Sequence, residues 1–71
     1  MIDRQTLRTA LNSLSKEHRE TVVMHEVEGL TYEEIAMILD VPAGTVKSRL
    51  HNGIKKLKQL LEVDEIERKS L

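Results

Sequence analysis

The sequence predicts an all-α fold, a single four-helix domain, on three observations. β-branched residues never alternate with polar ones over a strand's length, while Leu, Val and Ile recur at three- and four-residue steps. Each periodic stretch is preceded by a helix-starting residue: Asp3, Ser15, Thr31 and Pro42. With 71 residues and no cysteine, the chain has room for one economical core and offers no disulfide or thiolate metal site to reinforce it.

The first helix is expected over 3–14, N-capped by Asp3, with Leu7, Leu11 and Leu14 on one face. The second, over 16–28, is capped by Ser15 and carries Glu17 and Glu20 near its positive N-terminal end. It would turn Val22, Val23 and Val27 towards a core and stop at Gly29. "TYEE" opens the third, over 31–39: Thr31 and Glu34 form a capping box, and Ile35, Ala36, Ile38 and Leu39 make a compact apolar face. "DVP" then interrupts it. Pro42 cannot continue a helix but suits the start of one, and it biases Val41 towards an extended conformation.

The fourth helix is expected over 43–61. Advancing about 100° per residue, Val46, Leu50, Ile54, Leu57 and Leu61 fall on a single apolar stripe. Gly44, Ser48, His51, Asn52, Lys55 and Gln59 cluster around the opposite pole, with Lys47 and Lys58 on one flank and Arg49 and Lys56 on the other. Asn52-Gly53 is a hairpin signal, and Gly costs about 1 kcal/mol in a helix interior relative to Ala. The apolar period runs unbroken across the pair, so the helix continues, with Gly53 on the core side where its missing side chain permits close helix approach. The acidic tail, 62–71, reads as a solvated end, with a frayed extension of the fourth helix as the alternative.

The formal net charge of −1 conceals a dipolar molecule. Residues 1–42 carry four cations against eight carboxylates, residues 43–60 five cations and no carboxylate, and residues 61–71 two cations against four carboxylates. Local field rather than net charge decides what docks against a face, so the fourth helix is the anion-seeking part. A single aromatic, Tyr32, excludes a stacking platform for single-stranded bases. No apolar run approaches membrane-spanning length and "MIDRQTLRTALNSL" is not a signal peptide, which leaves a soluble, cytoplasmic protein with no membrane partner as the expectation.

Catalysis finds no support. "HEVEG" lacks the second His of the H-E-x-x-H zinc motif, and His18 and His25, seven apart, make no metal site. Glu33 and Glu34 are adjacent and diverge, Met24 and Met37 read as core or partner-facing filler, and no nucleophile sits beside a base. No enzyme activity, metal or cofactor is expected.

A short capped helix with a small residue, Ala36, at its centre, a tight Asp40-Val41-Pro42 turn and a longer helix make a helix-turn-helix pattern, here C-terminal and without a wing. Ile35 and Val46 would pack across the corner. The second helix would then enter a major groove about 12 Å wide, placing Ser48, Asn52 and Lys55 against base edges. Lys and Asn read guanine and adenine, while flanking cations meet the phosphate walls.

"EGLTYEEIAMILDVPAGTVKSRLHNGIKKL" resembles region 4 of the bacterial sigma-70 family, particularly the extracytoplasmic-function subclass, and "LNSLSKEHRETVVMHEVEG" is similar to the helices preceding it. The resemblance covers roughly residues 6–61. It implies recognition of the promoter −35 element in double-stranded DNA, docking on the β flap of RNA polymerase core, and masking by an anti-sigma factor. Residue by residue, it implies base-edge contacts from "KSRLHN", chiefly Lys47, Ser48, His51 and Asn52, with Lys55 beside them, and phosphate contacts from Thr31, Tyr32, Thr45 and Arg49, with Lys56 on the flank. The helical wheel alone makes Lys47 a phosphate ligand; the resemblance makes it a base reader, and both stay open.

Three departures from the family pattern stand out: Asp40 where many relatives carry Gly, His51 and Asn52 where Arg or an aromatic is frequent, and Gly53 where Ala is frequent. They bear on the base sequence recognised rather than on the mode of binding. Nothing resembles region 2, which melts the −10 element, so a piece of a longer sigma factor is expected, with a solitary region 4-like regulator as the alternative. Two other readings share the design: an output domain of a response regulator or quorum-sensing activator, and a module that binds only protein, polymerase or an anti-sigma factor.

Overall fold

The computed structural model describes the backbone of residues 3–70 and the side chains of residues 3–62. Helix α1 (Arg4–Asn12) is followed by α2 (Lys16–Val22), which runs into a π-helical turn (Val23–Val27); α3 (Tyr32–Leu39) and α4 (Ala43–Ser70) complete the chain. Helices α1, α2 and α3 all pack against α4, which is the spine of the domain.

The local chemistry explains each start. Asp3 Oδ1 accepts the Thr6 amide at 2.7 Å and Ser15 Oγ accepts the His18 amide at 3.3 Å, each satisfying a first-turn donor with no intrahelical partner. At α3 the capping box is complete: the Glu34 amide donates to Thr31 Oγ1 at 3.1 Å, and the Thr31 amide donates to Glu34 Oε1 at 2.9 Å. That amide, together with the Thr31 hydroxyl, holds the Glu34 carboxyl below its ordinary range. At α4 the Pro42 carbonyl accepts the Thr45 and Val46 amides, so the proline opens the helix as expected.

The ends are equally specific. Gly29 has a positive φ of 72° and Asp40 takes the left-handed conformation, φ 56° and ψ 51°. The Asp40 and Val41 amides both reach back to the Ala36 carbonyl, a Schellman-type closure that stops α3 after eight residues.

The core is built on the α4 stripe. Leu14, Val22 and Leu50 form its buried cluster, with Leu11, Tyr32, Ile54, Leu57 and Leu60 packed against it. Ile35 and Val46, the pair expected at the helix-turn-helix corner, are both fully buried. The buried Thr21 hydroxyl is satisfied by the Glu17 carbonyl at 2.9 Å. Gly53 is buried, and a Cβ there would lie 2.8 Å from Val22 Cγ2 and 3.4 Å from His18 Cβ, so α2 and α4 touch where the sequence lacks a side chain.

Several sequence expectations need correction. The second helix is not α-helical to residue 28. The Glu28 amide bonds to Val23 across five residues, and the wider turn rotates the chain beyond it out of α register. Val27 is consequently 74% exposed instead of facing the core. The first helix ends at Asn12, so Leu14 reaches the core from the turn beyond it, and Leu7 is partly exposed. Ile38 is exposed because Ile35 and Leu39 take the inward line of α3, leaving Ile38 beyond the edge of the α4 contact. The helical backbone of α4 continues through Ser70, beyond the end expected at residue 61 and in keeping with the tail as an extension of the helix; its side chains beyond residue 62 and Leu71 lie outside the described residues.

Candidate nucleic-acid interface

Pinning one stripe of α4 against three helices leaves its opposite side facing outward. Lys47, Ser48, His51, Asn52, Lys55 and Lys56 are all exposed, while Thr45 and Arg49 are half-buried. Arg49 therefore carries its guanidinium on a stem that also packs, a common use of a long basic side chain. Among the described residues the contacts between basic side chains and carboxylates are the Lys16–Glu20 ion pair at 3.9 Å and the His25–Glu26 hydrogen bond at 3.3 Å, both outside α4. Among those residues, then, the five cations of 43–60 are left without a carboxylate partner.

The structure divides the expected site residues into two groups. Lys47, His51 and Lys55 line one groove with Tyr32, beside Leu50 and Ile54, so α3 and α4 contribute to a common surface. Ser48, Asn52, Arg49 and Lys56 lie outside that groove, as do Thr31 and Thr45. From Lys47 to Lys55 the helix advances about 12 Å, the width of one major groove. Lys47 sits with His51 and Lys55 rather than on a separate flank.

Thr31 is exposed, with its hydroxyl oxygen and amide both engaged in the capping box. Glu33 and Glu34 stand in the same first turn, so an anion approaching Thr31 meets two carboxylates as well as the positive helix end. Tyr32 is half-buried, and the π turn sets His25 against it, ring centroids 5.2 Å apart and 27° from parallel.

Sequence reasoning missed three things here. Lys58, which the wheel set on one flank with Lys47 without making it a site residue, lines the same groove as Lys47. The His25–Tyr32 stack depends on the π turn, for which the sequence carries no signal. Arg4, Arg8 and Arg19, three of the four cations in the acidic first half, gather with Leu7, Leu11 and Val23 in a second groove between α1 and α2; the i, i+4 spacing of the first two was its one legible sign.

A short helix, a left-handed corner and a long helix whose cations over residues 47–58 have no carboxylate partner among the described residues define a helix-turn-helix domain of the DNA-binding class. The chain matches the family model described as "Sigma-70, region 4" over residues 4–57. It is 49% identical over 55 residues to the ECF RNA polymerase sigma factor SigE of Mycolicibacterium smegmatis, covering 78% of this chain and 21% of that one. It is 41% identical over 64 residues to the RNA polymerase sigma factor CarQ of Myxococcus xanthus, covering 90% and 37%. Among solved structures, the sigma factor RpoE in complex with the anti-sigma factor NepR from Bartonella quintana superposes with a TM-score of 0.84 at 38% identity, over 89% of this chain and 39% of RpoE. The chain belongs to the sigma-70 region 4 family, of the extracytoplasmic-function type. It spans between about a fifth and two fifths of the length of these relatives, all of them sigma factors rather than enzymes. Among the described residues, no helix is long and apolar enough to cross a membrane.

Proposed function

We propose that this chain is the promoter −35 recognition domain of an extracytoplasmic-function sigma factor, acting in the cytoplasm, where it positions RNA polymerase for transcription initiation. The observation that carries the reading is the exposed cationic side of α4 over residues 47–58, without a carboxylate partner among the described residues, in a chain of this family. Its N-terminal half lies in the major groove. Lys47, Ser48, His51, Asn52 and Lys55 face base edges, and Thr31, Tyr32, Thr45, Arg49 and Lys56 meet phosphates. Lys47 is placed among the base readers because it shares a groove with His51 and Lys55. Lys contributes a donor to guanine O6 and N7, and Asn52 pairs bidentately with adenine. The phosphate contacts set register and supply most of the salt-dependent affinity.

RNA polymerase core, through its β flap, is the second partner, and an anti-sigma factor is the third. The flap matters for affinity as well as for location: a small domain grips DNA weakly alone, and a second tether converts its binding into an effectively intramolecular event. The test is in vitro selection of bound duplexes by this chain fused to a polymerase flap fragment. A single enriched motif, with affinity falling steeply with salt, is the expected outcome. Salt-insensitive binding, or no loss on replacing Lys47 or Arg49, contradicts the reading and leaves the protein-only alternative.

A further inference from the structure

The π turn (Val23–Val27) brings the His25 imidazole onto the Tyr32 ring, centroids 5.2 Å apart and planes 27° from parallel. At that tilt the imidazole covers a face of the phenol ring rather than its edge, within the range of a favourable aromatic pair. Tyr32 is the first residue of α3 and packs against the cluster of Leu14, Val22 and Leu50. Its ring thus has a core contact and a stacking partner, and both restrict its rotation. The hydroxyl is different: it is neither buried nor hydrogen-bonded among the described residues. A donor left open where α3 joins the groove lined by Lys47, His51 and Lys55 is available to an acceptor from outside. His25 is less suited to meet an anion itself. Its Nδ1 donates to Glu26 Oε1 at 3.3 Å, so an anion approaching that edge of the ring meets a carboxylate. Stacking is the contribution its geometry leaves.

We infer that His25 is a positioning residue for DNA binding: by stacking on Tyr32 it holds the phenol hydroxyl where it donates to a phosphate, without touching the duplex. The inference rests on the phosphate contact proposed for Tyr32 and deepens it. A ring fixed before the duplex arrives has less freedom to lose on binding, so the contact is made at a lower entropic cost. Because phosphates carry no base identity, the benefit is the same on every sequence.

The test titrates labelled duplexes, the selected one and unrelated ones, with the 71-residue chain and with His25→Ala, His25→Phe and Tyr32→Phe. His25→Ala should weaken every duplex alike by about three- to tenfold, the fold-change that loss of an aromatic pair represents. The order of preference among duplexes should not change. His25→Phe keeps a ring on Tyr32 and should restore affinity to within about twofold of the unsubstituted chain. Tyr32→Phe keeps the stack and removes the hydroxyl, so adding His25→Ala in that background should bring no further loss. A merely structural stack would cost the same in both backgrounds; thermal unfolding of every variant checks that it is folded at the assay temperature. Tyr32 is the one tyrosine in a chain without tryptophan, so tyrosine fluorescence reports this ring alone. The fast component of its anisotropy decay should grow in His25→Ala and shrink again in His25→Phe. Equal losses in the two backgrounds overturn the proposal, as does a failure of Phe to rescue, which would make the imidazole itself the contact. Unchanged affinity in His25→Ala, with the unsubstituted chain still preferring one duplex, removes the positioning role and leaves the DNA reading intact. An unsubstituted chain that binds no duplex sinks both.

Discussion

Replacing Gly53 by Ala sets two effects against each other at one atom. Ala is favoured over Gly in a helix interior by about 1 kcal/mol, so on an open helix face the change would stabilise. Here the new methyl would stand 2.8 Å from Val22 Cγ2 and 3.4 Å from both Cβ and the carbonyl oxygen of His18. Carbon atoms in good contact are about 3.5–4.0 Å apart, so α2 must retreat by up to about an ångström or Val22 must turn. Val22 is β-branched and buried, which leaves it few rotamers to turn into. Overpacking of this kind costs about 1–3 kcal/mol, and the expected net effect is a loss of about 0–2 kcal/mol after the helix-propensity gain. For a domain of this size each 1 kcal/mol moves Tm by roughly 4–8 °C.

Thermal unfolding followed by circular dichroism at the helix band reads that shift directly. Val22→Ala is the companion. Alone it should cost about 2 kcal/mol, the transfer value of two buried methyl groups plus a small cavity. In the double variant the methyl introduced at position 53 would occupy the vacated space, so the two changes should be non-additive by about 1 kcal/mol or more. If Gly53→Ala instead raises Tm and the double variant is strictly additive, the close approach of α2 to α4 is wrong.

Three further outcomes are open to measurement. Asp40→Gly should stabilise by about 1 kcal/mol, because glycine carries no steric penalty at the left-handed corner, and a β-branched residue there should cost more than that; chemical denaturation of the pair checks both. Glu34 has its pKa lowered by the Thr31 amide and hydroxyl, so its contribution is present above the ordinary carboxylate value and lost as pH falls through the lowered one. Glu34→Gln should therefore flatten the acid limb of the stability profile while keeping the cap, whereas Thr31→Ala should cost about 1 kcal/mol at neutral pH as well. Asn52→Ala should change which bases are preferred by about 1–3 kcal/mol at one position, while Lys56→Ala should weaken all duplexes alike and reduce the salt slope by about 1.

Helix starts and the inner stripe of α4 were legible in the sequence because both are local. Asp3, Ser15 and Thr31 act on amides three residues away, and Val46, Leu50 and Ile54 share a stripe whatever packs on it. The corner was legible for the same reason: Asp40 is one of the few side chains that tolerates a positive φ. What escaped was decided by partners distant in sequence. Ile38 reads as core by apolarity alone, yet α3 has a single long neighbour and its outer edge is bare. The π turn leaves no compositional mark, and it is what exposes Val27 and sets His25 on Tyr32. At the interface, the wheel put Lys47 and Lys58 together on a flank but could not show that Tyr32, from another helix, closes that flank into a groove.

The spine arrangement has a consequence for how such a domain diversifies. Since the core rests on Val46, Leu50 and their neighbours along α4, substitutions at the exposed Ser48 and Asn52, outside the groove that Tyr32 closes, leave the packing that holds the protein upright in place. Under the proposed function, new operator preferences can accumulate there while the melting point stays where it was, so a lineage could retarget its genes without first acquiring a surplus of robustness.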